Sequence, residues 1–154
     1  GEINYALNEL TVYKKAPSSM ITIHAYVDDQ YLNSYWADGL IVATPTGSTG
    51  YSLSCGGPII SPGSGNFIIT PIAIHNLSVR PIVIPDSSVI KIKAEARHND
   101  VYVNLDSRSV IIDSSTELVI VKEKFHINLI QMENENFFRT IRDKLMWGKD
   151  IRNY

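Results

Sequence analysis

The sequence predicts a mainly β fold of the sandwich type, and three observations carry that expectation. Short runs with β-type patterning recur along most of the chain, turn-forming residues separate them, and strand and helix patterns do not alternate regularly as they would in a βαβ fold. Residues 6–13 form a mixed apolar run. Residues 20–27 alternate, with Ile21, Ile23, Ala25 and Val27 on one face and Thr22, His24 and Tyr26 on the other. Asp28-Asp29 supplies a turn and residues 31–35 return, which is a hairpin signal. Residues 40–43 are short and wholly apolar, as a buried strand would be. Further strand-like runs follow at 67–74, 81–84, 89–94, 101–105, 110–112 and 118–122, punctuated by Pro85-Asp86, His98-Asn99-Asp100 and Asp113-Ser114-Ser115.

Two helices are expected. A short one spans residues 48–55, after a Gly/Thr-rich turn. A longer one spans 136–147, where Phe137, Ile141 and Leu145 recur at helical spacing and Phe138 widens the face. Asn136 is placed to cap its start and Gly148 to stop it.

The stretch from Asp38 to Pro58 is the chemically unusual part. An apolar strand runs into a loop of threonines, serines and glycines and then into a helix. Such a loop presents free backbone N–H groups and hydroxyls, and glycine lets a ligand approach closely. A helix start adds unpaired donors and partial positive charge, which suits a nucleotide. Each hydrogen bond contributes about 0.5–1.5 kcal/mol net. Four or five of them with aromatic stacking approach the roughly −8 kcal/mol of micromolar binding. The blander reading is an ordinary Ser/Thr/Gly loop. The stretch is neither a Walker A loop nor a Gly-x-Gly-x-x-Gly fingerprint, and Gly47-Ser48-Thr49-Gly50 is not a Gly-x-Ser-x-Gly nucleophile elbow.

Bulk properties exclude other classes. Hydrophobic residues make up 44% and charged residues 19%, as in a folded globular chain. The net charge of −2 shows no basic surplus, so no nucleic-acid partner is expected. Lys14-Lys15 is the longest basic run and reads as a solvated hairpin face. The single cysteine, Cys55, sits among small residues and reads as packing; it allows no disulfide within the chain, which fits a cytoplasmic location. No run reaches the roughly 18 apolar residues of a membrane span. The four histidines, His24, His75, His98 and His126, lack metal-ligand spacing, and nothing in it favours a Ser/His/Asp hydrolase. The chain begins with Gly1 rather than Met and no signal peptide is visible, so it reads as an excised piece, expected to form one domain over 1–154.

The order Asp38-Gly39-Leu40-Ile41, Thr44-Pro45-Thr46-Gly47-Ser48-Thr49, Tyr51, Leu53-Ser54 and Gly56-Gly57-Pro58-Ile59 resembles the signature of the NAD kinase family. Asn8-Glu9 resembles that family's Asn-Glu pair. Ile69-Thr70-Pro71-Ile72-Ala73 and Arg80-Pro81-Ile82-Val83-Ile84-Pro85 resemble its later strands, and the tail from Phe137-Phe138 to Trp147-Gly148 is similar to NAD kinases of the Bacteroides group. The resemblance implies the β-rich, C-terminal, NAD-binding half of such an enzyme. It implies that Asn8 and Glu9 bind the adenosine part of NAD, a carboxylate being a natural partner for ribose hydroxyls. It implies that Asp38 bonds an amide or amino group of NAD. Thr46, Thr49, Gly50, Tyr51, Ser52, Leu53 and Ser54 would line the adenine pocket, with Tyr51 as its aromatic wall. Ala73 and His75 fall where a neighbouring subunit approaches the nicotinamide end.

Two positions depart from the family pattern. Gly50 stands where alanine is common, which should loosen the loop. Asp106-Ser107-Arg108 stands for the usual Asp-Gly-Gln, so the family's ligand contact does not carry over to Arg108, which offers a phosphate partner instead. The Gly-Gly-Asp-Gly-Thr motif, whose Asp is the family's proposed base, does not occur in this chain. The resemblance implies phosphorylation of the 2′-hydroxyl of the adenosine ribose of NAD by ATP, giving NADP and ADP, with an N-terminal α/β domain and Mg²⁺ or another divalent metal, in a homo-oligomer, and with no catalytic residue and no metal ligand from this chain. The competing expectations are a non-catalytic nucleotide-binding or oligomerisation β-domain and a domain related to lipid kinases.

Overall fold

The computed structural model describes residues 4–15, 20–96, 100–128, 130 and 136–147. Residues up to Glu123 form one compact unit and those from Lys124 onward a second. Among the described residues of the first unit the strands are, in chain order, β1 (Glu9–Lys14), β2 (Ile21–Val27), β3 (Gln30–Ala37), β4 (Gly39–Ala43), β5 (Asn66–Ile72), β6 (Ile82–Pro85), β7 (Ile90–Glu95), β8 (Asp100–Leu105), β9 (Arg108–Asp113) and β10 (Leu118–Ile120). They make two antiparallel sheets, a larger one ordered β6-β5-β4-β1-β8-β9 and a smaller one ordered β10-β7-β2-β3. The expected sandwich is present.

One core joins the two sheets. Val12, Leu40, Val42, Ile69, Val101 and Val103 of the larger sheet pack with Ile21, Ile23, Ala25, Ile90, Ile92 and Ala94 of the smaller. Each set sits at alternate positions of its strands, the period-2 rule that the 20–27 run displays in the sequence. β4 is buried along its whole length because it is covered twice. Leu40 and Val42 face the sandwich core, whereas Ile41 and Ala43 join Ile68 in a second cluster on the other face, under Cys55 and Ile60. A strand covered on both faces has no polar side, which is why its sequence is continuously apolar. Cys55 is half-buried and packed there, and burial pushes its thiol pKa up.

The β2–β3 hairpin forms as expected. Asp28 and Asp29 both take positive φ, 50° and 62°, which the right-handed twist of a two-residue hairpin turn requires. Three expectations are corrected, two on boundaries and one on exposure. The run at 6–13 becomes a strand only from Glu9, because the N–H groups of Leu7 and Asn8 are taken by the Asp106 carboxylate and their carbonyls by Thr44. The 48–55 helix is two short turns, a 3-10 turn at Thr46–Thr49 and a helix α1 at Tyr51–Ser54, broken at Gly50. Lys14 is not on a solvated face. It is half-buried and its ammonium lies 2.6 Å from the Asp38 carboxylate, while Lys15 remains exposed and pairs with Asp100 at 2.8 Å.

In the second unit, helix α2 spans Phe137–Lys144. The Asn136 side chain accepts a bond from the Arg139 N–H at 2.9 Å, as a cap should. Of the periodic residues, Ile141 is buried and Leu145 lies past the helix end; Gly148 is outside the described residues. No helix among the described residues is long and apolar enough to cross a membrane.

Candidate nucleotide-binding site

The site is built where the start of β1 meets the loop after β4. Thr44 ties them: its N–H donates to the Asn8 carbonyl at 2.9 Å and its hydroxyl to the Leu7 carbonyl at 2.7 Å. The Gly47 N–H donates back to the Thr44 hydroxyl at 3.2 Å. Gly47 lies so close to Asn8 that a β-carbon there would sit 2.1 Å from the Asn8 carbonyl oxygen. The loop therefore rests on the backbone of Asn8, and the Asn8-Glu9 pair and the hydroxyl loop are one assembly. At the turn between the 3-10 segment and α1, a β-carbon on Gly50 would be 3.4 Å from Glu9 Oε2, so the Glu9 carboxylate reaches up to the loop.

From the other side Asp106 holds the same segment. Its carboxylate accepts bonds from the N–H groups of Leu7 at 2.8 Å, Asn8 at 2.8 Å and Glu9 at 3.1 Å, and its own N–H donates to the Glu9 carbonyl at 3.0 Å. Burial pushes the Asp106 carboxyl pKa up, but those three N–H groups and the Arg108 charge outweigh it and hold the group below the usual carboxylate range. Glu9 shifts the other way: burial, and then the Asp106 charge, raise its carboxyl. Glu9 Oε2 is buried and has no hydrogen-bond partner. The pair thus consists of one carboxylate saturated by backbone donors and one left with an open acceptor.

The remaining predicted residues divide between surface and interior. Thr46, Thr49, Gly50, Ser54 and Tyr51 are exposed, and Leu53 is half-buried. Ser52 is fully buried and its hydroxyl bonds Thr70 at 2.8 Å, so it holds α1 onto β5 rather than facing solvent. Replacing Thr70 with valine is expected to leave the Ser52 hydroxyl unpaired and to lower stability by about 1–2 kcal/mol, read by urea denaturation. Asp38 is half-buried in its ion pair with Lys14. Ala73 is exposed with φ of 45°, and His75 is exposed with its ring 4.5 Å from that of Trp36. The Arg108 guanidinium donates to the Tyr5 carbonyl and lies over the Tyr5 ring, so in this structure it latches the segment before Asn8.

Two cavities flank this assembly. One of about 220 Å³ is lined by Glu9, Thr44, Tyr5, Leu105 and Lys122 among others. The other, about 460 Å³, is lined by Thr11, Tyr13, Lys14, Asp38, Tyr51 and Asn104 among others. The tyrosine pKa reports the same clustering: burial, Cys55, Asp38 and Tyr13 raise that of Tyr51. Sequence reasoning named Asp38 and Tyr51 but missed Thr11, Tyr13, Lys14 and Asn104. The alternation of Glu9, Thr11 and Tyr13 against Leu10 and Val12 was the available signal. Among the described residues no three His, Cys, Asp or Glu side chains converge on one point.

The model of the ATP-NAD kinase C-terminal domain family matches residues 7–132, which include the Asn8-Glu9 pair, the loop after β4 and Asp106. The chain belongs to that family. A Cytophaga hutchinsonii relative named NAD kinase is 54% identical over 153 residues, 99% of this chain and 52% of its own length. A Bacteroides fragilis NAD kinase is 47% identical over 148 residues, 96% of this chain and 51% of its own length. The chain thus spans about half the length of the curated relatives it matches. Among solved structures, yeast NADH kinase complexed with NADH superposes with a TM-score of 0.85 and 29% identity, covering 97% of this chain and 46% of that one. An NAD kinase from Archaeoglobus fulgidus in complex with ATP gives 0.64 and 35%, covering 77% and 49%. The β-rich fold of the NAD kinase C-terminal domain, expected from the sequence, is the fold observed.

Proposed function

We propose that the protein carrying this chain is an NAD kinase, which transfers a phosphoryl group from ATP to the 2′-hydroxyl of the adenosine ribose of NAD, giving NADP and ADP, and that this chain supplies the acceptor-binding half. The observation that carries the proposal is the joining of Asn8-Glu9 to the Thr44–Ser54 loop through Gly47, with one Glu9 oxygen left as an open acceptor beside it. An open carboxylate oxygen suits a sugar hydroxyl, and the loop that it reaches at Gly50 carries exposed hydroxyls and an aromatic ring. The names of the relatives, and NADH and ATP in the solved neighbours, support the same reading.

Phosphoryl transfer depends chiefly on positioning and charge stabilisation. On this reading Asn8, Glu9 and the loop hold the acceptor. An N-terminal α/β domain brings the base, the ATP and the divalent metal, and a second subunit approaches Ala73 and His75 in a cytoplasmic homo-oligomer. The complete protein is expected to form NADP from NAD and ATP. The 154-residue chain by itself is expected to bind NAD weakly and to form none. An enzyme-coupled NADP assay on both checks this. NADP formation by the chain alone, or none by the complete protein, would sink the proposal.

A further inference from the structure

Among the described residues two buried side-chain acceptors lack a hydrogen-bond partner, Glu9 Oε2 and Asn104 Oδ1. Their positions are related. Asn104 on β8 lies directly opposite Thr11 on β1, and Glu9 precedes Thr11 by one period of the strand. Leu10, Val12 and Val103 point into the sandwich core, so Glu9, Thr11, Tyr13 and Asn104 share the opposite face of the sheet. Tyr102 lies on β8 at Asn104's outer-face period and stacks on Tyr13 with ring centroids 5.1 Å apart. Asn104 lines the 460 Å³ cavity with Tyr13, Lys14, Asp38 and Tyr51.

Buried acceptors without donors are rare in folded proteins, because nothing offsets the loss of water. Both lie on one face of the sheet, Glu9 at the smaller cavity and Asn104 at the larger, and each marks a place where a donor is to be supplied. The cavity offers a carboxamide, a carboxylate paired with an ammonium, and two phenol rings. That set matches a flat ring carrying an amide or amino group: the rings cover its face and the polar groups meet its edge.

We propose that Asn104 is a ligand-contacting residue of this cavity, its carboxamide pairing with the amide or amino group of a planar heterocycle that lies against Tyr13 and Tyr51. The inference rests on the NAD-binding reading and deepens it, since both ends of NAD carry such a ring. A carboxamide presents both a donor and an acceptor, so it can complete the edge of either ring. Its oxygen is left unpaired in the free chain because the site is shaped for the bound state.

The test uses the complete protein as wild type, Asn104→Leu and Asn104→Ser, with NAD titrated by calorimetry and melting temperature measured without ligand. Leucine keeps the branched shape of asparagine, with two methyl groups in place of the amide oxygen and nitrogen, and removes an unpaired polar group. Asn104→Leu is therefore expected to melt no lower than wild type while binding NAD about tenfold more weakly or worse. Asn104→Ser, which retains a short hydroxyl, is expected to weaken NAD as well and keeps the test open should the leucine variant fold poorly. Titrations with AMP and with nicotinamide mononucleotide show which ring is held, since only the fragment bearing that ring should lose affinity. NAD affinity within twofold of wild type in both variants would overturn the proposal, and a lowered melting temperature beside that unchanged affinity would assign Asn104 a purely structural role. Failure of the complete wild-type protein to bind NAD or either fragment would overturn the underlying NAD-binding reading itself.

Discussion

Replacing Asp106 with alanine is expected to lower stability by about 2–3 kcal/mol and to weaken NAD binding about tenfold or more. The carboxylate meets three consecutive N–H groups, and those of Asn8 and Glu9 are partly buried, so water does not fully replace what is lost. The same bonds fix the backbone that carries both family residues, and displaced binding groups lose affinity steeply. Urea denaturation and NAD titration of the variant read the two effects. The wild-type pH dependence follows from the pKa directions. The folded-state pKa of Asp106 is lowered, so its contribution is present above the unfolded carboxylate value and is lost as pH falls through the lowered folded one. The folded-state pKa of Glu9 is raised, so its charged form costs stability at neutral pH and that cost is relieved as pH falls through the raised value. Acidification should therefore first protonate Glu9, weakening NAD binding while the fold holds, and only at lower pH release Asp106 and destabilise the fold. A fold that loosens before NAD affinity declines would contradict this order.

How far the sequence reveals the site depends on whether a residue acts through its own strand or across the sheet. The doubly covered β4 is legible because burial on both faces leaves a continuous apolar run. The β2–β3 hairpin is legible because Asp28-Asp29 suits the turn. The loop from Thr44 to Ser54 stands out by composition as a candidate ligand loop, and Asn8-Glu9 only through its resemblance to a family. Nothing in sequence spacing joins Leu7–Glu9 to Asp106, about a hundred residues away, because that contact exists only once β1 and β8 are neighbours. Lys14 is misread for a related reason. A Lys-Lys pair looks solvated until the β3–β4 connection brings Asp38 beside the first of the two. Ser52 shows the converse limit. It lies inside the family motif, yet its hydroxyl serves Thr70 in the interior, which a helix of four residues is too short to display as a pattern. Arg108 departs from the family pattern, and its contact with Tyr5 gives the departure a local structural use.

The second large effect is expected at Gly47. Replacing it with alanine should lower stability by about 2–3 kcal/mol, at the upper end of overpacking costs, and weaken NAD binding with it. The reason is space. The added carbon would meet Asn8 O at 2.1 Å, Asn8 C at 2.5 Å and Asn8 Cα at 2.9 Å, all backbone atoms that cannot swing aside as a side-chain end can. Either the loop lifts from β1, breaking the Thr44–Asn8 and Gly47–Thr44 bonds, or the start of β1 moves and strains the Asp106 clamp. Both routes separate Asn8-Glu9 from the hydroxyl loop, so stability and affinity should fall together. Gly50→Ala is the matched control. Its added carbon would be 3.3 Å from the Gly47 carbonyl oxygen and 3.4 Å from Glu9 Oε2, contacts that a shift of a few tenths of an ångström absorbs. Alanine is the family's common residue there, so that variant should fold and bind NAD like the wild type. The contrast between two glycines three positions apart, measured by urea denaturation and NAD titration, isolates close backbone approach from loop flexibility. Equal behaviour of the two variants would mean that the loop is not held on Asn8, and the assembly proposed as the acceptor site would lose its central contact.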